Sequence, residues 1–228
     1  MTRLPLPFAV VSLVVVLAAG CGGSADGSAG ATGTTSGGKT ETTAGGCTAV
    51  EEPAARDDGG ATPPKEPLDP ARKATLEFVT NCGSFTVTLD VKGAPKTAAS
   101  LVALARSGFF EDTIFHRIVP GFVIQGSDPT QSGSGGPGYQ TVDLPPQDAT
   151  YTKGVVAMAK TATEPAGTSG SQFFVVTGAD IGLPAEYAIV GTVTAGLDVI
   201  ERIGALGNEL EEPTEPVVVS DVAVTVDP

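Results

Sequence analysis

The chain has 228 residues, 41% of them hydrophobic, which suffices for one sizeable domain with attachments. Its 26 acidic residues outnumber 13 basic ones, and a net charge of −13 would repel a polyphosphate, so nucleic acid is excluded as a partner. A single histidine, His116, rules out a His-based metal cluster and leaves any catalytic triad only that residue to build on.

Residues 1–20 read as a signal peptide: Arg3 provides the positive start, and an apolar run from Leu6 to Ala19 is too short for a comfortable membrane span. The following run, Leu17-Ala18-Ala19-Gly20-Cys21, resembles the lipobox of bacterial lipoproteins. Its large aliphatic residue lies one position further from the cysteine than is usual. The resemblance implies cleavage before Cys21, a lipid on that cysteine and a lipid-anchored protein facing outside the cytoplasm, in the cell envelope. A plain secretory signal is the alternative. Residues 21–72 then form a tether, first Gly/Ser/Thr-rich and from Cys47 rich in Pro, Glu and Asp. A coil of about 50 residues spans roughly 40 Å. Cys47 and Cys82 are an even pair in an exported chain, which suggests a disulfide; two free thiols are the alternative.

From Ala74 the pattern becomes that of folded elements. Leu76 and Phe78, then Phe85, Val87 and Leu89, alternate with polar residues around Asn81-Cys82-Gly83-Ser84, predicting a β-hairpin. Pro95 suits a first helical turn, Ala98, Leu101, Val102 and Ala105 recur at helical spacing, and Gly108 ends the helix. Short strands are expected at 114–119, 122–125, 155–159, 172–177 and 188–193, a second helix at 197–203 and a last strand at 217–226. In the strand at 114–119, Phe115, Arg117 and Val119 would share one face and His116 the other. Many short strands, Gly/Pro turns and two helices predict a mainly β fold, an antiparallel barrel with helices against its ends.

Two segments carry the chemical signal: Phe115-His116-Arg117-Ile118-Val119-Pro120-Gly121-Phe122-Val123-Ile124-Gln125-Gly126-Ser127-Asp128, and Gly170-Ser171-Gln172-Phe173-Phe174-Val175-Val176-Thr177. Both resemble the signature segments of cyclophilins, peptidyl-prolyl cis/trans isomerases. Ala94-Pro95-Lys96-Thr97 upstream and Gly133-Ser134-Gly135-Gly136 between them fall in the same order. The resemblance covers roughly residues 74–227, within one domain expected at 73–228. It implies a closed eight-stranded antiparallel β-barrel capped by two α-helices, no cofactor and no metal, and proline-containing polypeptides as clients; nothing in the sequence suggests more than a monomer.

The resemblance also assigns roles. The catalytic arginine falls on Arg117. Phe122, Val123, Phe174 and Leu183 fall on the apolar proline pocket. Gln125 and Gln172 fall on positions that hold the substrate backbone. Ala159 and Lys160 match the stretch that pairs with the residue before proline, and Gly133 lies in a glycine-rich loop bordering the groove. Tyr187 stands where many cyclophilins have histidine. His116 is read as a structural or pocket-edge residue. Without the resemblance, Arg117 reads first as a surface charge, and the phenylalanines are as readily ordinary core.

There is no tryptophan, and Gly182 occupies a position where many cyclophilins carry one beside the pocket, which argues against tight cyclosporin binding. The loop from Lys160 to Gly170 is longer than in typical eukaryotic members. Gly133 to Gly138 formally matches a dinucleotide-binding pattern, but no strand–turn–helix surrounds it. A hydrolase built on His116 lacks a G-x-S-x-G elbow. Two functions remain: an isomerase acting on extracytoplasmic polypeptides, or a module that holds proline segments with little turnover.

Overall fold

The computed structural model describes residues 41–227. The expected signal peptide, Cys21 and the first part of the tether lie outside the described residues. Ten strands and two helices follow in the order β1 (Ala74–Thr80), β2 (Gly83–Leu89), α1 (Pro95–Arg106), β3 (Arg117–Val119), β4 (Val123–Gly126), β5 (Thr141–Val142), β6 (Val155–Met158), β7 (Thr168–Ser169), β8 (Phe173–Val176), β9 (Ile189–Ala195), α2 (Leu197–Gly204) and β10 (Val219–Val226).

The hairpin of β1 and β2 closes on Asn81-Cys82, with Thr80 opposite Gly83. Gly83 has φ +119°, a conformation that a side chain would oppose. Asn81 fastens this turn to the rest of the chain: its Nδ2 donates to the carbonyls of Thr48 (2.9 Å) and Pro216 (3.0 Å), and its Oδ1 accepts the Val218 N–H (2.8 Å). Helix α1 starts on Pro95, whose missing N–H needs no partner there. The free Thr97 N–H of its first turn donates to Asp143 Oδ2 (2.7 Å), and the Thr97 hydroxyl donates to the same oxygen (2.8 Å). Helix α2 buries Val199, Ile200 and Ile203 on one side. α1 packs on β1, β5 and β10, and α2 on β2, β3 and β4.

Eight strands form one antiparallel sheet in the order β10-β1-β2-β9-β6-β8-β4-β3, and β5 pairs with β7 apart from it. The sheet curls into a half-barrel. The expected closed barrel is corrected here: no ladder joins β3 to β10. The gap is crossed by a single bridge, Ile114 to Val218, and by hydrogen bonds from Phe115 N–H to Val217 (3.0 Å) and Asp112 N–H to Val219 (2.9 Å). β3 is too short to extend that pairing, because regular strand geometry begins only at Arg117. For the same reason Phe115 does not share a face with Arg117 and Val119. It is buried in the main core, with Phe78, Phe85, Phe110 and Phe173.

The core lies on the concave side. Phe78 and Phe85, directly opposite across β1 and β2, stack with centroids 5.1 Å apart, and Phe173 meets Phe78 at 5.2 Å. Strand alternation separates this core from a second apolar cluster. Ile118, Ile124, Val156, Met158, Phe173 and Val175 point into the first. Val123, Val155, Ala157, Phe174 and Val176 point into the second.

The stretch 41–72, which falls within the expected tether, is bonded to the domain at several points. Thr48 N–H reaches Asn81 (2.7 Å), Arg56 N–H reaches Pro129 (2.8 Å) and Leu68 N–H reaches Pro95 (3.1 Å). Cys47 and Cys82 are joined by a disulfide, with Cα atoms 4.1 Å apart.

Candidate functional site

The register of β3, β4, β8 and β6 sets one row of residues side by side. Arg117 is opposite Gln125, Gln125 opposite Phe174, and Phe174 opposite Ala157. Because side chains alternate, this row and its neighbours Val119 and Val123 face away from the main core and form the floor of the site. Hydrogen bonds link its polar members. Arg117 Nη1 lies 3.5 Å from Gln125 Oε1, Gln125 Nε2 donates to Gln172 Oε1 (3.1 Å), and Gln172 Nε2 donates to the Gly135 carbonyl (2.9 Å). The guanidinium is fixed on its other side by Glu211, whose Oε2 accepts from Arg117 Nε at 2.7 Å. Glu211 comes from the loop after α2, adopts φ +65°, and its carbonyl accepts the Ile118 N–H (2.8 Å). Arg117 remains one-third exposed, 34% for its side chain.

On one side of this row lies an apolar hollow. Phe122, Val123, Phe174, Leu183 and Tyr187 gather around buried Tyr151. Phe174 and Tyr187 meet edge to face at 5.6 Å, and Tyr151 lies 6.0 Å from Tyr187. The Tyr151 hydroxyl donates to the Tyr187 carbonyl (2.8 Å) and accepts the Tyr187 N–H (3.0 Å), which locks the hollow's wall. Burial pushes the Tyr151 phenol up, so it stays protonated and able to donate. Gly182 has φ +63° with open space where a Cβ would be, so this rim of the hollow carries no side chain.

On the other side lies a polar groove of about 510 Å³, lined by Gln125, Gly133 to Gln140, Ala159, Lys160 and Gln172, with Asp58 and Glu164 at its edge. Asp128 holds the glycine-rich loop in place: its Oδ1 accepts the Thr130 N–H (2.8 Å) and its Oδ2 the Gly135 N–H (3.1 Å). Burial pushes its carboxyl up, but hydrogen bonds from Thr130, Gly135 and Gly133 outweigh this and hold it below the usual range. The Lys160 ammonium is buried against Glu186 (3.1 Å) and over the Tyr187 ring (5.4 Å). Lys160's own backbone N–H and C=O make no hydrogen bond among the described residues, leaving an open edge in the groove wall.

The expected site residues thus come together as two adjoining parts with Arg117 and Gln125 between them. His116 sits at the margin, its ring beside Gly133. Neither ring nitrogen has a hydrogen-bond partner. Burial lowers its pKa below 6.5, opposed by Asp128 and reinforced by Arg117, so the ring is neutral at pH 7. A relay through Asp128 is not assembled, which removes a hydrolase built on this histidine. Sequence reasoning missed Tyr151, Glu211 and Asp58. Tyr151 had a faint signal, a lone tyrosine ahead of the Lys153-Gly154 turn; the two acids had none. Among the described residues no cluster of acidic, Cys or His side chains could hold a metal.

A fixed donor beside an apolar hollow is compatible with X–Pro rotation, a reaction that needs no nucleophile or cofactor. The comparisons agree. Residues 75–224 match the family model for cyclophilin type peptidyl-prolyl cis-trans isomerases. The chain is 34% identical over 177 residues to peptidyl-prolyl cis-trans isomerase A of Mycobacterium tuberculosis, covering 68% of this chain and 94% of that protein. It is 33% identical over 162 residues to peptidyl-prolyl cis-trans isomerase-like 2 of Rhizopus delemar, covering 69% of this chain but only 30% of that longer protein. A crystal structure of a Cryptosporidium parvum cyclophilin, obtained in the presence of the dipeptide Ala-Pro, superposes with a TM-score of 0.62 at 29% identity, covering 66% of this chain and 98% of the other. The chain therefore belongs to the cyclophilin-type peptidyl-prolyl cis-trans isomerases and is an enzyme of that class.

Proposed function

We propose that the protein accelerates X–Pro rotation in extracytoplasmic polypeptides by using Arg117 to favour the twisted imide. The single observation that carries this reading is a guanidinium held by Glu211 and Gln125 at the rim of the hollow formed by Phe122, Val123, Phe174, Leu183 and Tyr187. The planar amide resists rotation with a barrier of about 18–20 kcal/mol because nitrogen shares its lone pair with the carbonyl. Midway through rotation that pair localises on the proline nitrogen. A donor already aimed there binds the twisted form better than either planar form, and this difference lowers the barrier. The hollow takes the proline ring, Gln125 and Gln172 hold the substrate backbone, and the open backbone edge at Lys160, next to Ala159, pairs with the residue before proline. Gly133 and His116 border the groove. No cofactor takes part.

In the same reading, residues 1–20 are removed, Cys21 carries the lipid at the start of the 21–72 tether, and the enzyme acts as a monomer at the outer face of the cell membrane. Two measurements test the proposal. Catalytic amounts of the protein should speed cis/trans exchange in a short X–Pro peptide, whereas stoichiometric binding without faster exchange would mark a holding module. Cys21→Ala should shift the protein from the membrane fraction to the released fraction; retention in the membrane would contradict the lipid anchor.

A further inference from the structure

Residues 53–61 lie outside the sheet and its helices, yet they run along the glycine-rich loop of the groove. Gln131 Nε2 donates to the Pro53 carbonyl (2.8 Å), Gly59 N–H to Gly136 (2.9 Å) and Ala61 N–H to Pro137 (3.1 Å). The two backbones approach so closely that glycine meets glycine. A Cβ on Gly138 would stand 3.0 Å from Gly59 Cα, and both residues have positive φ, +86° and +77°. Upstream, the Cys47–Cys82 disulfide ties the same segment to the β1–β2 turn. The segment is therefore a fitted wall of the groove.

This wall brings a charge. Asp58 Oδ1 accepts the Gly136 N–H at 2.7 Å, and among the described residues its other oxygen has no partner. Asp58 lines the same groove as Gln125, Ala159, Lys160 and Gln172. The other charged groups there do not cancel it. Glu164 is also negative, with the Thr161 N–H at 2.6 Å on Oε2 and Gln140 on Oε1. The Lys160 ammonium is already neutralised by Glu186 at 3.1 Å, and its side chain is only 2% exposed. The groove consequently presents a negative field with one free carboxylate oxygen.

We propose that residues 53–61 form a wall of the substrate groove and that Asp58 selects polypeptides bearing Lys or Arg two or three residues before the proline. This rests on the reading that the groove takes residues preceding the proline. An ion pair at such a partly exposed site favours the basic substrate by about two- to fivefold at low salt, and salt screens it. The test compares kcat/KM on peptides that differ only in carrying Lys, Ala or Glu at those positions, using the intact chain and its Asp58→Asn and Asp58→Lys variants. The Lys peptide should lead the Glu peptide in the wild type, the ratio should fall toward one in Asp58→Asn, and it should invert in Asp58→Lys. Equal turnover of the three peptides by the wild type, or a ratio unchanged in both variants, would overturn the selection by Asp58 while leaving the isomerase reading intact. Failure to turn over any of the peptides would instead overturn the isomerase reading, and this inference with it.

Discussion

At the scale of single residues, Arg117 owes its placement to partners from two directions. Glu211 takes Nε from the loop after α2, and Gln125 faces Nη1 from β4, so the remaining donors point from a fixed plane. Arginine keeps its charge at every working pH and offers donors in a rigid fork, which a lysine cannot reproduce. Glu211 is a positioning residue in this account. Glu211→Gln should lower kcat by about two- to fivefold with KM nearly unchanged, the size expected for a half-exposed ion pair, whereas a purely structural role would move the melting temperature and leave the kcat/KM split alone. The histidine supplies a second expectation. Its lowered pKa keeps the ring neutral above 6.5, and Asp128, lowered too, stays ionised. Neither of these two groups should therefore bend the turnover profile between about pH 7 and 9. On acidification, stability should be lost in two stages. The first comes as pH falls below the unfolded histidine value, because the buried ring resists the proton that the unfolded chain accepts. The second comes as pH falls through the folded value of Asp128. A rate that rises with a pKa near 7 would point to a general base and against this mechanism.

At the scale of elements, much was legible because it is local. Alternation in Phe173-Phe174-Val175-Val176 sends Phe173 and Val175 to the main core and Phe174 and Val176 to the second cluster, as period two demands. Pro95 marks the start of α1, and the Asn81-Cys82 turn the centre of the first hairpin. The rest depends on contacts between distant segments, which no local period encodes. The two-residue strands β5 and β7 exist only through each other, and the α1 start is completed by Asp143, 46 residues after Thr97. Asp58 and Glu211 reach the site from opposite ends of the domain sequence, and Tyr151 reaches it through the backbone of Tyr187. The two buried cysteines join residues 47 and 82, a separation of 35 residues. Closing a loop of that length restricts the unfolded chain by about 2–4 kcal/mol. Reduction, or Cys47→Ser, should lower the melting temperature by roughly 5–12 °C, measured by calorimetry. An unchanged transition would show that the bridge adds nothing to the stability of the fold.

At the scale of the whole molecule, a half-barrel of eight strands supports a site on its outer face, and the segment preceding β1 finishes the groove beside it. The net charge of −13 is in keeping with the proposed preference for basic residues ahead of the proline. The proposed mechanism rests on the Arg117 guanidinium at the rim of the hollow. The most direct measurement is the exchange rate of a short X–Pro peptide, followed by NMR at catalytic enzyme concentration, for the wild type and for Arg117→Ala of unchanged melting temperature. Loss of one preorganised donor should cost about 10²–10³ in kcat/KM. Exchange as fast in the variant as in the wild type would contradict the account at its centre.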